Sequence, residues 1–316
     1  MEMAKKLSLL CIQEQANFGA AETDITGSDV IETIGPATVD WDPGVTEIGL
    51  VAGAFDQDAA IPGLHSLDLN FSVYARAAAA DTVGQFGKLL RLAAFTEAEA
   101  VDGIFTYTPN SQQSLWKDYT AWMHSGSLSS TGTNIVKGFN GIICPKFTFE
   151  AGKPGIMACQ SKLAWGGVAV VGTQPSITKE RTLPSALVGA STITLAGDTD
   201  YKLISAEIDM GQVTSLLKDP KQTYGHGNNT ITDRLIKWSA KVYKDIPTTV
   251  DPETALLNKT IGAITIEYGT APQKVGFTST YGQITKVKHD EEDGVEAWAL
   301  EGIFTRNNFT ITLSTK

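Results

Sequence analysis

The sequence has few residues of the types that build catalytic and metal centres. Its three cysteines lack the spacing of a metal site, so reduced thiols are expected: Cys11, Cys144 and Cys159. Its four histidines have no partner at ligand spacing and are expected in solvated loops or turns: His65, His124, His226 and His289. It also has no run of about 18 apolar residues and no signal-peptide pattern near its start. These absences argue against a metalloenzyme, a membrane span and an enzyme in general.

Three short motifs suggest chemistry, but each is better explained by a turn or loop. HDEED, from His289 to Asp293, could hold calcium, yet it lacks the ligand spacing of a calcium loop and precedes Gly294 at an expected hairpin tip. GHGNN, from Gly225 to Asn229, lacks the lysine of a phosphate-binding loop. HSGSLSSTGTN, from His124 to Asn134, has no nucleophile-elbow pattern and is expected to be a flexible loop. No cofactor or metal is therefore expected.

The charge balance is acidic. Asp and Glu number 35 against 25 Lys and Arg, which gives a net charge of −10 and a pI near 4.9. A protein that grips nucleic acid by its phosphates needs a basic surface. Such a surface is not expected here, although a local basic strip around Lys237, Lys241 and Lys244 remains possible.

Two strand-like segments are related by a fixed distance in the sequence. LNFSVYAR, beginning at Leu69, alternates apolar and polar residues as a half-buried strand does, and WSAKVYKD, beginning at Trp238, does the same 169 residues later. TVDWDPG and EIDMGQV match at the same offset, which pairs Asp40 with Asp209. Chance similarity between half-buried strands is the alternative explanation. Two matches at one offset favour a duplicated domain.

Other elements recur in the same order. Each pair of matched strands encloses a connection of equal length, residues 43–65 and 212–234, and connections this long are uncommon in compact domains. A helical segment follows each pair, at 81–98 and at 251–259, and Asp81 or Thr82 is expected to cap the first. GIFTYTP is then echoed by GAITIEYG, and a hairpin closes each half, with Gly155 and Gly294 near the turns.

A content of 42% hydrophobic and 19% charged residues is typical of a folded protein. At 316 residues, the chain is long enough for two domains with separate cores. Residues 1–36 are expected to form an arm without sustained periodicity, and residues 37–171 the first β-rich domain. Residues 172–200 are expected to be a linker in which SALVGASTITLAG could still pair as a strand. Residues 201–316 are expected to form the second domain. The expected fold is mainly β, with one short helix beside each domain.

These segments, taken in order, resemble the tail tube (major tail) proteins of long, non-contractile-tailed bacteriophages. EQANFGAAETD resembles the family's N-terminal arm, and VIETIGPATVDWDPG with LHSLDLNFSVYAR resembles its first strand pair and long loop. DTVGQFGKLLRLAAFTE with IFTYTP resembles its helix and next strand. STITLAGDTDYKLISAEIDMGQ with ITDRLIKWSAKVY resembles a second copy. One departure is LWKDYTAWMHSGSLSSTGTNIVKGFNG, which extends the middle of the first domain.

The resemblance implies two tandem tail-tube-type β-sandwich domains in each chain. In this family six such domains form a ring, their inner strands join into one barrel, and the rings stack into a tube that delivers DNA into the host. Three chains would then complete a ring. Implied partners are other copies of the chain, a tape measure protein, and tail terminator and distal tail proteins, with assembly in the host cytoplasm into the virion tail. Genomic DNA would pass through the lumen without specific binding.

The resemblance also suggests roles for individual residues. Candidate lumen-facing residues are Asp68, Asn70, Ser72, Glu150, Gln160, Glu296 and Glu301; equally, they could face solvent on the outer sheet. Candidate residues of loops between subunits are Asp56, Asp58, Pro62, Pro220 and Tyr224. Candidate residues of an arm between rings are Glu14, Phe18 and Gly19.

An adhesin or carbohydrate-binding β-sandwich is the alternative function. It would also be acidic, and it would need an exposed aromatic platform. Trp116, Tyr119 and Trp122 are the only near-clustered aromatic residues, and their pattern favours packing within strands or loops.

Overall fold

The computed structural model describes residues 8–16, 26–42, 45–46, 61–62, 66–76, 84–101, 103–125, 133–150, 155–171, 191–196, 201–218, 221, 226–244, 251–270, 274–305 and 308–314. These residues form a mainly β fold of antiparallel strands, which confirms the expected fold class at that level. Sixteen strands share one hydrogen-bonded network. No helix among the described residues is long and apolar enough to cross a membrane.

The strands of the N-terminal part are β1 (Ser8–Glu14), β2 (Val30–Ile31), β3 (Thr38–Asp42), β4 (Val45–Thr46), β5 (Ile61–Pro62), β6 (Ser66–Val73), β7 (Phe95–Val101), β8 (Ile104–Pro109), β9 (Tyr119–Ser125), β10 (Thr133–Glu150) and β11 (Gly155–Val171). Those of the C-terminal part are β12 (Thr192–Leu195), β13 (Leu203–Asp209), β14 (Gln212–Lys218), β15 (His226–Arg234), β16 (Lys237–Tyr243), β17 (Ile261–Tyr268), β18 (Val275–Glu292), β19 (Val295–Phe304) and β20 (Phe309–Ser314). The helices are α1 (Gln85–Leu92) and α2 (Pro252–Leu257), and 3-10 turns cover Gly27–Asp29 and Gln113–Leu115.

One eight-strand run organises the fold. Its order is β3-β6-β11-β10-β13-β16-β19-β18, with every neighbouring pair antiparallel. One face of the run is buried in a core that includes Leu69, Phe71, Ile208 and Trp238. Where their burial is described, the alternate residues on the same strands are exposed or half-buried, as period-two alternation predicts, with Ala297 as an exception.

The helix α1 packs its predicted apolar face into this core. Phe86, Leu89 and Leu90 are buried, and the Phe86 ring lies 5.8 Å from that of Phe147. The helix is shorter than expected: it begins after Gly84 and ends at Leu92, because Ala94 adopts a left-handed conformation with a φ of 58°. Residues 95–98, expected to be helical, instead begin β7 and pair with β8. Asp81 and Thr82, the expected caps, lie outside the described residues.

The helix α2 has a side-chain cap. Asp251 accepts hydrogen bonds from the backbone N–H of Thr254 at 2.9 Å and from its hydroxyl at 2.7 Å. The hydroxyl hydrogen bond is the main reason why the pKa of Asp251 lies below its ordinary value of 3.8.

Replacing this cap is expected to weaken the protein. Asp251→Ala should lower the free energy of unfolding by about 1 kcal/mol, whereas Asp251→Asn keeps an acceptor and should lower it less. Because the carboxylate has a lowered pKa in the folded state, its contribution is complete above the ordinary pKa and is lost as the pH falls through the lowered one. Urea unfolding of both variants at pH 7 and pH 3 measures this. An equal loss at both pH values would contradict the assignment.

A close contact across β16 and β19 explains why position 302 is glycine. A Cβ on Gly302 would lie 2.3 Å from Cε2 of Trp238 and 2.4 Å from the carbonyl oxygen of Gln283. Gly302→Ala must therefore displace a buried indole or the backbone of β18, and should lower the free energy of unfolding by about 1–3 kcal/mol. Val295→Ala on the same strand removes an exposed side chain and should cost under about 0.5 kcal/mol. Equal urea midpoints for the two variants would show that small shifts of the neighbouring atoms relieve the contact at little cost in stability.

The N-terminal segment is part of the sheet and not an arm over its whole length. β1 pairs with both β2 and β9, and Leu10, Ile12 and Ile31 belong to the core. The strand pattern was missed in the sequence because β1 and β2 are short and are separated by a segment that includes residues 17–25, which lie outside the described residues. Within the linker 172–200, β12 pairs with β17, which confirms that part of that segment pairs as a strand.

The pairing pattern corrects two further expectations, namely the match between GIFTYTP and GAITIEYG and the position of the extension in the N-terminal half. GIFTYTP forms β8, which pairs with β7 and β20, whereas GAITIEYG forms β17, which pairs with β12 and β18. The strand that occupies the position of β17 is β9, because it lies beside β10 as β17 lies beside β18. The extension of the N-terminal half is thus the hairpin β7–β8 with the residues up to β9, and not the stretch that begins at Leu115.

Candidate assembly surface

The candidate site is the side of the eight-strand run that faces away from the core, termed the candidate face, together with the two strand edges at the ends of the run. Asp68 on β6 is exposed, and Asn70 and Ser72 are half-buried on the same face. Glu301 lies on this face of β19, where its carboxylate forms an ion pair with the ammonium of Lys286 at 2.5 Å. By backbone register Gln160 lies opposite Asp68, and Glu150 lies opposite Glu207.

Glu296 does not share this face. It lies five positions before Glu301, an odd offset, on a strand whose pairing with β16 has no bulge, so the two side chains project to opposite sides. Its carboxylate lies 3.3 Å from Nζ of Lys244, and that ammonium lies 5.8 Å from the centroid of the Trp298 ring. The expectation that Glu296 and Glu301 line the same wall is therefore wrong. The basic strip is split for the same reason, with Lys237 and Lys241 on one face and Lys244 on the other.

Acidic residues outnumber basic ones among the charged residues of the candidate face whose side chains the structure describes. The seven acidic residues are Asp40, Asp68, Glu207, Asp209, Asp290, Glu292 and Glu301, and the four basic ones are Lys237, Lys241, Lys286 and Lys288. Lys241 is further neutralised, since its ammonium lies 3.0 Å from Asp290 and 2.6 Å from Glu292. Hydrogen bonds to these two carboxylates raise the pKa of Lys241. The face is thus acidic over the described residues.

The HDEED segment is a hairpin tip, as expected. Asp293 and Gly294 both have positive φ, 51° and 80°, as a two-residue turn between β18 and β19 requires. The acidic cluster is divided by the strand alternation: His289 pairs with Glu253 of α2, whereas Asp290 and Glu292 pair with Lys241. Within the described part of the chain no three His, Cys, Asp or Glu side chains are grouped to hold a metal ion.

One expected loop histidine is buried. His124 lies in β9 with both ring nitrogens unpartnered among the described residues, and burial lowers its pKa. It pairs across the sheet with Leu9 and Val136. The alternation of β9 places it on the side of Trp122 and the small Leu9 cluster, opposite the side on which Ala121 enters the main core. His226 and His289 are also in strands, while His65 lies outside the described residues. Cys11 and Cys144 are buried, and burial raises the pKa of the Cys11 thiol to about 12.

The aromatic residues of the alternative function do not form an exposed platform. Tyr119 is buried, and Trp116 and Trp122 are half-buried. The Trp116 indole N–H donates to the carbonyl of Asn110 at 2.9 Å. Trp122 packs against a small cluster of Leu9, Cys11 and Val30. These contacts agree with the expectation of strand and loop packing.

The second long connection, 212–234, is a β-hairpin and not an irregular loop. β14 pairs with β15, and the base of this hairpin is attached to α1: the side-chain amide of Gln212 donates to the carbonyl of Ala93 at 2.6 Å, and Arg234 donates to the same carbonyl at 3.2 Å. A cation at the C-terminal end of a helix stabilises its free carbonyls. Burial lowers the pKa of Arg234 to about 10, which leaves it charged at neutral pH.

The first connection, 43–65, contains the strand pair β4–β5, and Pro62 lies in β5. Asp56, Asp58, Pro220 and Tyr224, expected in loops between subunits, lie outside the described residues, as do Phe18 and Gly19 of the expected inter-ring arm. Glu14, also expected in that arm, instead lies in β1, where its carboxylate contacts Lys117 at 3.1 Å and Arg91 at 3.5 Å. The apolar residues around it hold this segment in the sheet.

The two halves of the eight-strand run have the same register. Asp40 pairs with Asp68 in the first half, and Asp209 pairs with Lys237 in the second, each 169 residues later. The hairpins match as well, because Val45 pairs with Pro62 and Thr214 pairs with Ile231 at the same offset. This relation of pairing was visible in the sequence only as two weak segment matches.

Comparison with known proteins adds no relative. A scan against models of protein families finds no match to this chain, and a search of curated proteins also finds none.

Proposed function

We propose that this chain is the tail tube protein of a long, non-contractile-tailed bacteriophage, and that it is a structural protein and not an enzyme. Each chain would supply two tandem β-sandwich domains, and three chains would close a ring. The rings would stack into a tube that conducts DNA into the host. The observation that carries the proposal is the eight-strand run, which is composed of two four-strand sets with one order and one register.

The junction between the two sets supports a continuous barrel. β10 of the first set pairs with β13 of the second through Thr148–Asp209, Phe149–Ile208 and Glu150–Glu207. Two equivalent sets are therefore already joined edge to edge within one chain. Repeating this junction between chains would add further sets to the same sheet.

The size of such a ring suits its proposed cargo. Three runs of eight strands at about 4.8 Å spacing give a circumference of about 115 Å and a backbone diameter of about 37 Å, before strand tilt widens it. Barrels of 16–18 strands already enclose an aqueous channel. A ring of three chains would therefore leave room for a DNA duplex after side chains line the wall.

The charge of the candidate face supports its orientation toward the lumen. A wall that attracted phosphates would retain DNA at every ring of a long stack. The described side chains of this face carry more carboxylates than ammonium groups, and one of its lysines, Lys241, is paired with two carboxylates. Passage of DNA without specific binding follows from such a wall.

Assembly in the host cytoplasm and residence in the virion tail follow from this function, as does contact with tape measure, terminator and distal tail proteins. The test is electron microscopy of the purified protein, at increasing concentration, without other phage components. The proposal expects stacked rings or tubes with an open centre. Particles that stay monomeric at every concentration would contradict it, and binding to glycans by such monomers would favour the adhesin.

A further inference from the structure

The two ends of the eight-strand run have open edges of unequal composition. Among the described residues, β3 pairs on one side only, with β6, and residues 284–292 of β18 pair on one side only, with β19. An open edge of this length is a template for pairing with another chain unless something covers it.

The junction inside the chain indicates how these edges would pair. Ser72, Ile156 and Thr148 lie side by side across β6, β11 and β10. The same row in the second half contains Lys241, Ala299 and Lys288. Lys288 therefore occupies on β18 the position that Thr148 occupies on β10.

The partner of Thr148 has its own equivalent at the other end of the run. Thr148 pairs with Asp209 across the junction, and Asp40 precedes Asp209 by 169 residues in the same register of its own hairpin. Copying the junction to a second chain thus pairs Lys288 with Asp40. On the same face, the next pair in one direction along β18 is Asp290 with Thr38. In the other direction it is Lys286 with Asp42.

Burial and charge both favour this pairing. Ile208 is fully buried where the two halves meet, whereas its equivalent Val39 is only half-buried at the open edge and already contacts the core. A strand beside β3 would cover Val39 as β10 covers Ile208. Lys288 and Asp40 are exposed, lie on the same face and have opposite charge, so directly opposite positions favour them.

We infer that β18 of one chain pairs antiparallel with β3 of a second copy of this chain, with Lys288 opposite Asp40, and that three such junctions close the ring. This inference rests on the proposed function and adds the edges, the register and the charge pair that join the subunits. Because each chain offers one β3 edge and one β18 edge, the contact is head-to-tail. Such contacts leave no edge unpaired only when the chains close into a ring.

Cysteine cross-linking tests the register. Directly opposite residues of an antiparallel pair have Cα atoms about 4.5–5.5 Å apart, within the range of a disulfide. Asp40→Cys combined with Lys288→Cys should therefore give covalent trimers on non-reducing gels of assembled protein. The matched control combines Asp40→Cys with Glu292→Cys, which lies on the same face of β18 about 13 Å farther along the strand and should not cross-link.

A charge exchange covers the case in which the cysteine variant does not assemble. Lys288→Glu should reduce the fraction of assembled protein at low salt, and Lys288→Glu with Asp40→Lys should restore it. Rings or tubes that lack the expected disulfide, a control pair that cross-links equally well, or an exchange variant that fails to restore assembly would each overturn the inference while leaving the tube function standing. Wild-type protein that forms no ring would overturn both.

Discussion

Deleting most of residues 43–65, with a short turn kept between the paired Asp42 and Ser66, is expected to abolish ring and tube formation while leaving a folded chain. The matching connection, residues 212–234, forms the hairpin β14–β15, which contacts β10 and β11 of the other half and is attached to the end of α1 by Gln212 and Arg234. The first connection has the same register in β4–β5, so it should make the equivalent contacts with the neighbouring chain. Folding should survive because the free energy of loop closure changes slowly with loop length. Size-exclusion chromatography, circular dichroism and electron microscopy measure the two outcomes separately.

The matched control is deletion of residues 212–234. This deletion removes contacts that lie within one chain, including the two hydrogen bonds to the carbonyl of Ala93, and should lower the free energy of unfolding by about 2 kcal/mol or more. The two deletions should therefore differ in kind: the first affects assembly and the second affects the stability of the monomer. Normal tubes from the 43–65 deletion would show that the first connection is only surface decoration.

Reversing acidic residues of the candidate face is expected to make the tube retain DNA. Asp68→Lys with Glu207→Lys changes two exposed carboxylates that are not ion-paired to another described residue within 4 Å. Because duplex DNA carries one charge per about 1.7 Å of its axis, a small attraction at each ring multiplies along the stack. Tubes of this variant should bind short duplex DNA at low salt and release it as salt is raised, and phage that carry them should eject DNA more slowly.

The control for this reversal is Glu296→Lys. It reverses one carboxylate, which is half of the charge change of the double variant, and it lies on the opposite face of β19, beside Lys244 and Trp298. Tubes with this substitution should bind no more DNA than wild-type tubes. Retention of DNA by Glu296→Lys tubes, but not by the Asp68→Lys, Glu207→Lys tubes, would mean that the candidate face lies on the outside.

The sequence predicted strands well where period-two alternation is uninterrupted. β6 and β16 carry alternating apolar residues, and the hairpin tip at Asp293–Gly294 carries the turn residues that its positive φ values require. The apolar face of α1 was also predictable, because Phe86, Leu89 and Leu90 follow helical spacing. In each of these segments the local pattern and the tertiary packing favour the same structure.

Prediction failed where tertiary pairing decides the structure. Residues 95–98 directly follow the apolar helical pattern and were expected to continue it, yet pairing with β8 and the contact between Phe95 and Phe309 make them a strand. The opposite orientation of Glu296 and Glu301 could have been read from their odd separation, but the boundaries of β19 were needed to apply that rule. The attachment of Gln212 and Arg234 to Ala93 joins residues more than 100 positions apart, and no local signal indicates it.

The number of chains in one ring tests the central claim most directly. Cryo-electron microscopy of assembled tubes, averaged without imposed symmetry, measures both the number of chains and the number of strand sets around the lumen. The account predicts three chains of 33.7 kDa in each ring and six similar four-strand sets, with alternate junctions formed within a chain and between chains. A ring of six chains, or one in which β3 and β18 remain unpaired, would contradict it.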